Sequence, residues 1–403
     1  MKIVFLAPFG IRPKGTVLAR MVPLAAELQK DGHEVVIVAP PYTNPEDSGK
    51  TEIVEGVRLV NVQLGPRNKV LAAPILAGRM FRTTLGERPD LVHLFKPKGY
   101  GGLAAMLHLA LRRTGIRLAP LFLDTDDWEG DGGMNDLHAY SGPEKRFYRF
   151  QEQWITRRAA GVTVASRGLE QLVSGMGIAA ERLLYLPNSV SAAPPGNGAA
   201  ARERLGIAAE APVVLLYTRF FEFSQEKLHY LFAEIYRQVP GVRFVVVGKG
   251  RQGEEELLQR VAGESGFAEA LAFAGWVEPA AIPDYLAAGD VAIYPFANTL
   301  VNRTKCPAKA TELLRAERAV VADRVGQLAE YIRDGVSGVL CDPDDWKEMA
   351  AETVALLNDP DRQRRLGSAA RQYLLDHFNW LLASRRLQDF YASFSLDTPL
   401  PRG

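Results

Sequence analysis

The chain has 403 residues, a formal net charge of +1 and two cysteines, Cys306 and Cys341. That length suits two ordinary domains, each able to bury its own core, and the balanced charge excludes the broad basic footprint of a nucleic-acid binder. So few cysteines exclude a disulfide scaffold and point to a reducing, cytoplasmic setting.

The first residues, MKIVFLAPFG, hold one lysine and an apolar run too short for a signal peptide, so they read as a first strand. No window approaches the roughly 18 apolar residues of a membrane-spanning helix. From there short apolar runs (KIVFLA, EVVIVA, LVHLF, RLAPLFLD, VTVA, LLYL) alternate with helical patterns, one of them a helix over 17–30 that closes at Asp31-Gly32. Such alternation means crossover helices on a mostly parallel sheet. Residues 67–82, RNKVLAAPILAGRMFR, mix Arg67, Lys69, Arg79 and Arg82 with apolar side chains. This is either a basic amphipathic surface able to lie on an anionic membrane, giving peripheral contact, or core packing with a solvated basic edge.

A Pro-, Gly- and Ala-rich stretch over 191–210 reads as a linker. The pattern then restarts with PVVLLYT, RFVVVG, ALAFAG, VAIYP, AVVAD and SGVLCD. The expectation is α/β: a first doubly wound domain over 1–190, a second over 211–375, a terminal helical segment over 376–403, and a cleft between the carboxyl ends of the two sheets.

Several places carry chemistry. The loop PFGIRPKGT puts Gly15 ahead of a helix start, with Arg12, Lys14 and Arg20 making the entrance basic or simply solvated. LDTDDWEG places Asp124, Asp126 and Asp127 after a strand, where carboxylates can orient sugar hydroxyls, hold a metal, do acid–base work or merely cap a turn. Arg219 ends the first strand of the second half and Lys227 lies eight residues on; cations there suit a diphosphate, against a surface ion pair of Arg219 with Glu222 or Glu226. Trp276-Val277 ends another strand and either frames a flat base or is core. The stretch 290–335 reads as strand, polar loop (Asn302, Arg303, Thr304, Lys305), a helix beginning near Pro307 and Ala308, and strand. Its helix start suits a phosphate. Lys309 and Glu312 on that helix are either a surface ion pair or, for Glu312, an acceptor of two neighbouring ribose hydroxyls. Cys306 reads as a small buried residue against a reactive thiol.

These pieces in this order, with PNSV at 187–190, FAGWVEPAAIPDYLAAGDVAIYP, KATELLRAERAVVADRVGQLAEYIRDGVSGVL and NDPDRQRRLGSAARQYLLDHFNW, resemble a retaining glycosyltransferase of the GT-B fold, family 4. The resemblance covers nearly the whole chain. It implies two Rossmann-like domains, 1–190 binding the acceptor and 211–375 the nucleotide sugar, with the final helix over 376–403 crossing back onto the first, and a hexosyl transfer from a nucleotide diphosphate sugar, UDP before GDP, to an acceptor hydroxyl. It implies neither cofactor nor obligatory metal. The acceptor is left open among lipid-linked glycan, small molecule and protein. By matching position, Gly15 faces the donor diphosphate, Arg219 binds it with Lys227 or Lys305 as partner, Val277 meets the base, and Glu312 is the second glutamate of the family's Glu-x7-Glu motif, holding the ribose. The first glutamate falls at Thr304, and the family's usual histidine after an N-domain strand is matched by Asp126. Asn302, Thr304 and Lys305 then become the place of donor-sugar choice. An epimerase or hydrolase of a nucleotide sugar, or a non-catalytic nucleotide-sugar binder, is the alternative on the same scaffold.

Overall fold

The computed structural model describes residues 1–12, 15–66 and 68–394. They form two compact units, one of Met1–Ser189 with Thr304–Cys306 and the chain from Trp380, the other of Val190–Arg303 with Pro307–Asn379.

The first unit holds an eight-stranded sheet. Its strands are β1 (Lys2–Leu6), β2 (Glu34–Ala39), β3 (Thr51–Val54), β4 (Val57–Asn61), β5 (Leu91–Phe95), β6 (Leu121–Thr125), β7 (Val162–Val164) and β8 (Leu183–Tyr185), in the order β3-β4-β2-β1-β5-β6-β7-β8. All neighbours pair in parallel except β3 with β4, a hairpin turning at Glu55-Gly56, both in the left-handed region. Two left-handed turn residues match the twist of the flanking strands. Strands buried on both faces read as unbroken Val/Ile/Leu runs, and Ile3 to Leu6 and Leu91 to Phe95 are buried throughout. The helix Trp380–Ala392 packs on the helix Val22–Lys30 of this unit, and the buried His93 ring accepts or donates a hydrogen bond at Nδ1 with Tyr391 Oη, 2.5 Å away.

The second unit holds six parallel strands: β9 (Val213–Tyr217), β10 (Arg243–Val247), β11 (Leu271–Gly275), β12 (Val291–Tyr294), β13 (Ala319–Asp323) and β14 (Val339–Cys341), ordered β11-β10-β9-β12-β13-β14. Every apolar run taken as a strand from sequence is one.

Three local expectations change. The stretch 191–210 contains the helix Gly198–Arg204, capped by Asn197 Oδ1. Gly198 lies so close to the Ala287 carbonyl that a Cβ there would sit 2.3 Å from the oxygen, so this segment is packed structure of the second unit. The helix expected over 17–30 opens with a π-helical turn, Val17–Met21, before Val22–Lys30. Residues 302–304 are not loop but the end of a short helix, Leu300–Thr304; the next helix is Ala308–Arg315, with Pro307 as its N-cap.

Candidate functional site

In a doubly wound sheet, ligands bind beyond the carboxyl ends of the strands where the winding reverses. In the first unit that point lies between β1 and β5, in the second between β9 and β12. Each point is flanked by a non-glycine residue with positive φ: Lys96 (φ 61°) directly after β5, and Phe220 (φ 66°) three residues after β9. Such strain persists only where surrounding contacts hold it, and it clusters at functional sites.

Around the first point lies a buried ionic network. The wide turn Val17–Met21 carries Arg20 inward, and its guanidinium grips Asp124 with two bonds, Nε to Oδ1 at 2.8 Å and Nη2 to Oδ2 at 2.6 Å. It also donates to Asn188 Oδ1 and the Leu186 carbonyl. Arg20 is therefore an internal clamp, 1% exposed, rather than part of a solvated basic entrance. Burial pushes the Asp124 carboxyl up, against the pull of Arg20.

Next to this clamp, Lys96 Nζ lies 2.8 Å from Asp126 and 2.5 Å from Asp127, with Glu129 at 3.8 Å. Lys98 Nζ closes the chain at 2.7 Å from Glu129 Oε2. Thr16 Oγ1 donates to Asp126 Oδ2 at 3.0 Å. Burial alone would raise Asp126, but the Lys96 ammonium overrides it and holds the carboxyl below its ordinary value. The three aspartates are thus neither a solvated capped turn nor an open cage of oxygens, because buried cations already bridge them. Among the described residues no group of three or more His, Cys, Asp or Glu is placed to hold a metal ion. Lys96 and Lys98 escaped the sequence reading, although FKPKG sits at a strand end like DTDDWEG. Gly15 lies at the start of the π turn, its carbonyl accepting from Ala19 N–H; Lys14 and Arg67 fall outside the described residues.

At the second point Arg219 is exposed beyond β9 and makes no hydrogen bond or ion pair among the described residues. The alternative, a surface ion pair of Arg219 with Glu222 or Glu226, does not form. Behind it Tyr217, the last residue of β9, receives two groups from the helix Ala308–Arg315. Lys309 Nζ lies 3.3 Å from the ring centroid, and Glu312 hydrogen-bonds the phenol, which burial and that carboxylate push well up. Lys309 and Glu312 therefore converge on a tyrosine that the sequence reading left out. Pro307 offers the helix start no side-chain cap. Gly248 (φ 120°) is required here, since a Cβ would lie 1.9 Å from the Thr218 carbonyl oxygen. Trp276, after β11, is 61% exposed and so is not core, and Val277 beside it is half-buried.

Two expected site residues turn inward instead. Lys227 is 4% exposed, and its ammonium reaches Asp323 Oδ1 and Oδ2 at 2.7 and 2.8 Å and the Pro343 carbonyl at 3.0 Å. All three donors are taken, so Lys227 is a structural ion pair and not the diphosphate partner of Arg219. Asn302 uses its amide hydrogens on the Glu222 and Ala297 carbonyls at 2.7 and 2.9 Å, so it ties the loop after β12 rather than presenting those donors to a sugar. Thr304 is buried, its carbonyl accepting from Ser166 Oγ, while Lys305, Ala308 and Lys309 are half-buried. Cys306 and Cys341 are free, buried thiols; Cys306 Sγ accepts from Asn188 N–H.

Known proteins agree with this division. Residues 15–189 match the model of a glycosyl transferase 4-like domain, and residues 211–359 match that of the glycosyl transferases group 1. The chain is 27% identical over 372 residues to the GDP-mannose-dependent alpha-(1-6)-phosphatidylinositol monomannoside mannosyltransferase of Mycolicibacterium smegmatis, covering 89% of this chain and 90% of that one. It is 26% identical over 382 residues to the glycogen synthase of Mycobacterium tuberculosis, covering 89% and 86%. Among solved structures, a sucrose-phosphate synthase from Thermosynechococcus elongatus superposes with a TM-score of 0.77 at 20% identity, over 97% of this chain and 98% of that one. Anabaena HepE in complex with UDP-glucose gives 0.72 at 20% identity, over 98% and 100%. The two matched models part where the two sheets part, and the chain belongs to the GT-B glycosyltransferases.

Proposed function

We propose that this glycosyltransferase is a retaining hexosyltransferase that takes its sugar from a UDP-linked donor and needs no obligatory metal. The observation that carries the reading is the exposed Arg219 beyond β9, beside Tyr217 and Glu312 at the reversal of the second sheet. A guanidinium there suits the donor diphosphate bidentately, and the start of the helix Ala308–Arg315 adds N–H groups for the same anion. Glu312 holds the ribose and Val277 meets the base.

In the reaction the bond from the anomeric carbon to the phosphate oxygen breaks, and a bond from that carbon to the acceptor oxygen forms on the same face. The acceptor proton passes to the leaving phosphate. Arg219 stabilises the charge that grows on the diphosphate, and Asp126, kept ionised by Lys96, orients sugar or acceptor hydroxyls.

Thermal unfolding with UDP, GDP and their sugars tests the donor, since a ligand of the folded state raises the melting temperature. UDP and a UDP-sugar are expected to give the larger rise; a larger rise with GDP overturns the base assignment, and no rise with any nucleotide overturns the donor site.

No helix among the described residues is long and apolar enough to cross a membrane. The helix Lys69–Gly86 exposes Val70, Leu71 and Ile75, which supports peripheral contact with a bilayer. Arg79 of the same helix binds the Gln63 and Leu64 carbonyls. Co-sedimentation with anionic vesicles checks this; equal recovery with and without vesicles rules it out.

A further inference from the structure

The ionic network of the first unit runs outward into a group of tyrosines that the donor reading does not use. Tyr42 follows β2, Tyr100 lies in the first turn of the helix Gly99–Arg113 after β5, and Tyr140 and Tyr148 come from the segment after β6 and the helix Gly142–Arg158. Strands β2, β5 and β6 lie around the reversal of the first sheet, so four phenols from separate segments gather at its ligand-binding end. They form two edge-to-face pairs, Tyr42 with Tyr100 at 5.4 Å between centroids and 73° between planes, and Tyr140 with Tyr148 at 5.1 Å and 70°. In an edge-to-face pair, one ring keeps both faces clear of its partner.

Lys98 joins this group to the network. Its ammonium holds Glu129 and lies 5.8 Å from the Tyr140 centroid, and Glu129 leads through Lys96 to Asp126. We infer that Tyr42, Tyr100, Tyr140 and Tyr148, with Lys98, form an acceptor subsite for a sugar ring, so that the acceptor is itself a glycan. This rests on the transferase reading above and names its second substrate by class.

The chemistry favours a sugar over the other acceptors. A pyranose has a face of C–H groups, which packs on phenol rings, and a rim of neutral hydroxyls, which both donate and accept, as phenols do. Burial, then the nearness of Tyr140 and of Glu144, pushes Tyr148 up to about 12, so it stays neutral. An aliphatic alcohol would strip water from these hydroxyls without replacing its hydrogen bonds, at a cost for each group left unpaired. Tyr42 is 46% exposed, so the group is open to a ligand.

Saturation-transfer NMR on the full chain tests this with four probes: methyl α-glucopyranoside, methyl α-mannopyranoside, octyl β-glucopyranoside below its micelle concentration, and 1-octanol as a ring-free control. Irradiating the aromatic protons should saturate sugar-ring protons of at least one glycoside. Tyr140→Ala with Tyr148→Ala should reduce that transfer at least fivefold, and Tyr140→Phe should keep the ring contact. Should the double variant not fold, Tyr42→Ala on the exposed segment is the second variant, with the same loss expected. Saturation of the octyl chain as well as the ring marks a glycolipid acceptor; saturation of the ring alone marks a free glycan. Transfer to 1-octanol equal to that of the glycosides, no ring transfer at all, or no loss in the folded alanine variants overturns the inference. The nucleotide thermal shift on the same samples separates the two proposals, because a shift with UDP and no ring transfer overturns only the acceptor assignment.

Discussion

The two sheets reverse in the same way, yet their ligand ends are charged in opposite styles. In the first unit Arg20, Lys96 and Lys98 are sheltered and paired with Asp124, Asp126, Asp127 and Glu129, three cations to four carboxylates, so none of these cations is left uncompensated for an anionic ligand. In the second unit the buried cation, Lys227, is closed off by Asp323, and Arg219 is left exposed beyond the strand. A charged ligand is attracted to the second arrangement and gains little from the first. The difference fits the proposed division, with the donor diphosphate at the second unit and a hydroxyl-bearing acceptor at the first.

The largest effect expected from breaking this contrast is structural. Lys227→Met leaves Asp323 buried beside a methionine, with the Phe296 N–H at 2.7 Å as a remaining donor. Removing one partner of a buried pair costs roughly 3–5 kcal/mol. Denaturant unfolding should show that loss, while turnover per folded molecule stays near that of the parent. A Lys227→Met protein of normal stability but no turnover would return Lys227 to the diphosphate.

Arg219→Ala should do the reverse. Its side chain is exposed, so the melting temperature stays put, and turnover falls about a hundredfold or more, roughly 3 kcal/mol of transition-state stabilisation. Steady-state transfer at saturating donor is the measurement, and full activity would remove Arg219 from the reaction.

A smaller change is expected from Lys96→Met. Asp126 loses the ammonium that holds its carboxyl low, while the burial that raises it remains. A depressed carboxyl stays ionised as pH falls, so taking Lys96 away should move the acid limb of the rate profile to higher pH, by about one unit or more. Lys96→Arg should restore much of the parent profile. Identical acid limbs in parent and Lys96→Met would sever Lys96 from Asp126.

How much of this was legible in the sequence follows from burial. Strands covered on both faces announce themselves as continuous apolar runs, so β1, β2, β5 to β7, β9, β10 and β12 to β14 could be read directly, and the half-buried β8 and β11 by their apolar runs LLYL and ALAFAG. The hairpin β3–β4 could not, because its half-exposed TEIVEGVRLVN alternates over only a few residues. The positions of Arg219 beyond a strand end and of Glu312 on a helix were legible as well. Buried cations were not: Arg20, Lys96 and Lys227 look like any solvated basic residue until the fold brings Asp124, Asp126 and Asp323 to them from 104, 30 and 96 residues away along the chain. The same holds for the four tyrosines, which come from separate segments and share no spacing.

The smallest effect tests the protonation of one more buried carboxylate beside that network. Glu152 accepts from the Glu129 N–H at 3.1 Å through Oε1, while Oε2 is buried without a hydrogen-bond partner among the described residues. Burial pushes its carboxyl up to about 8, from an ordinary 4.5. Between those values the folded chain holds a proton that the unfolded chain has released, so stability falls as pH rises through the window. Glutamine copies the protonated acid and does not titrate. Glu152→Gln should therefore match the parent below about pH 5 and gain on it steadily toward pH 8, by a few degrees in melting temperature, on the order of 1 kcal/mol or more. Parallel melting curves for the two proteins across that range would show instead that Glu152 is ionised in the folded chain, and the first unit would then carry a buried negative charge that Lys98 must balance.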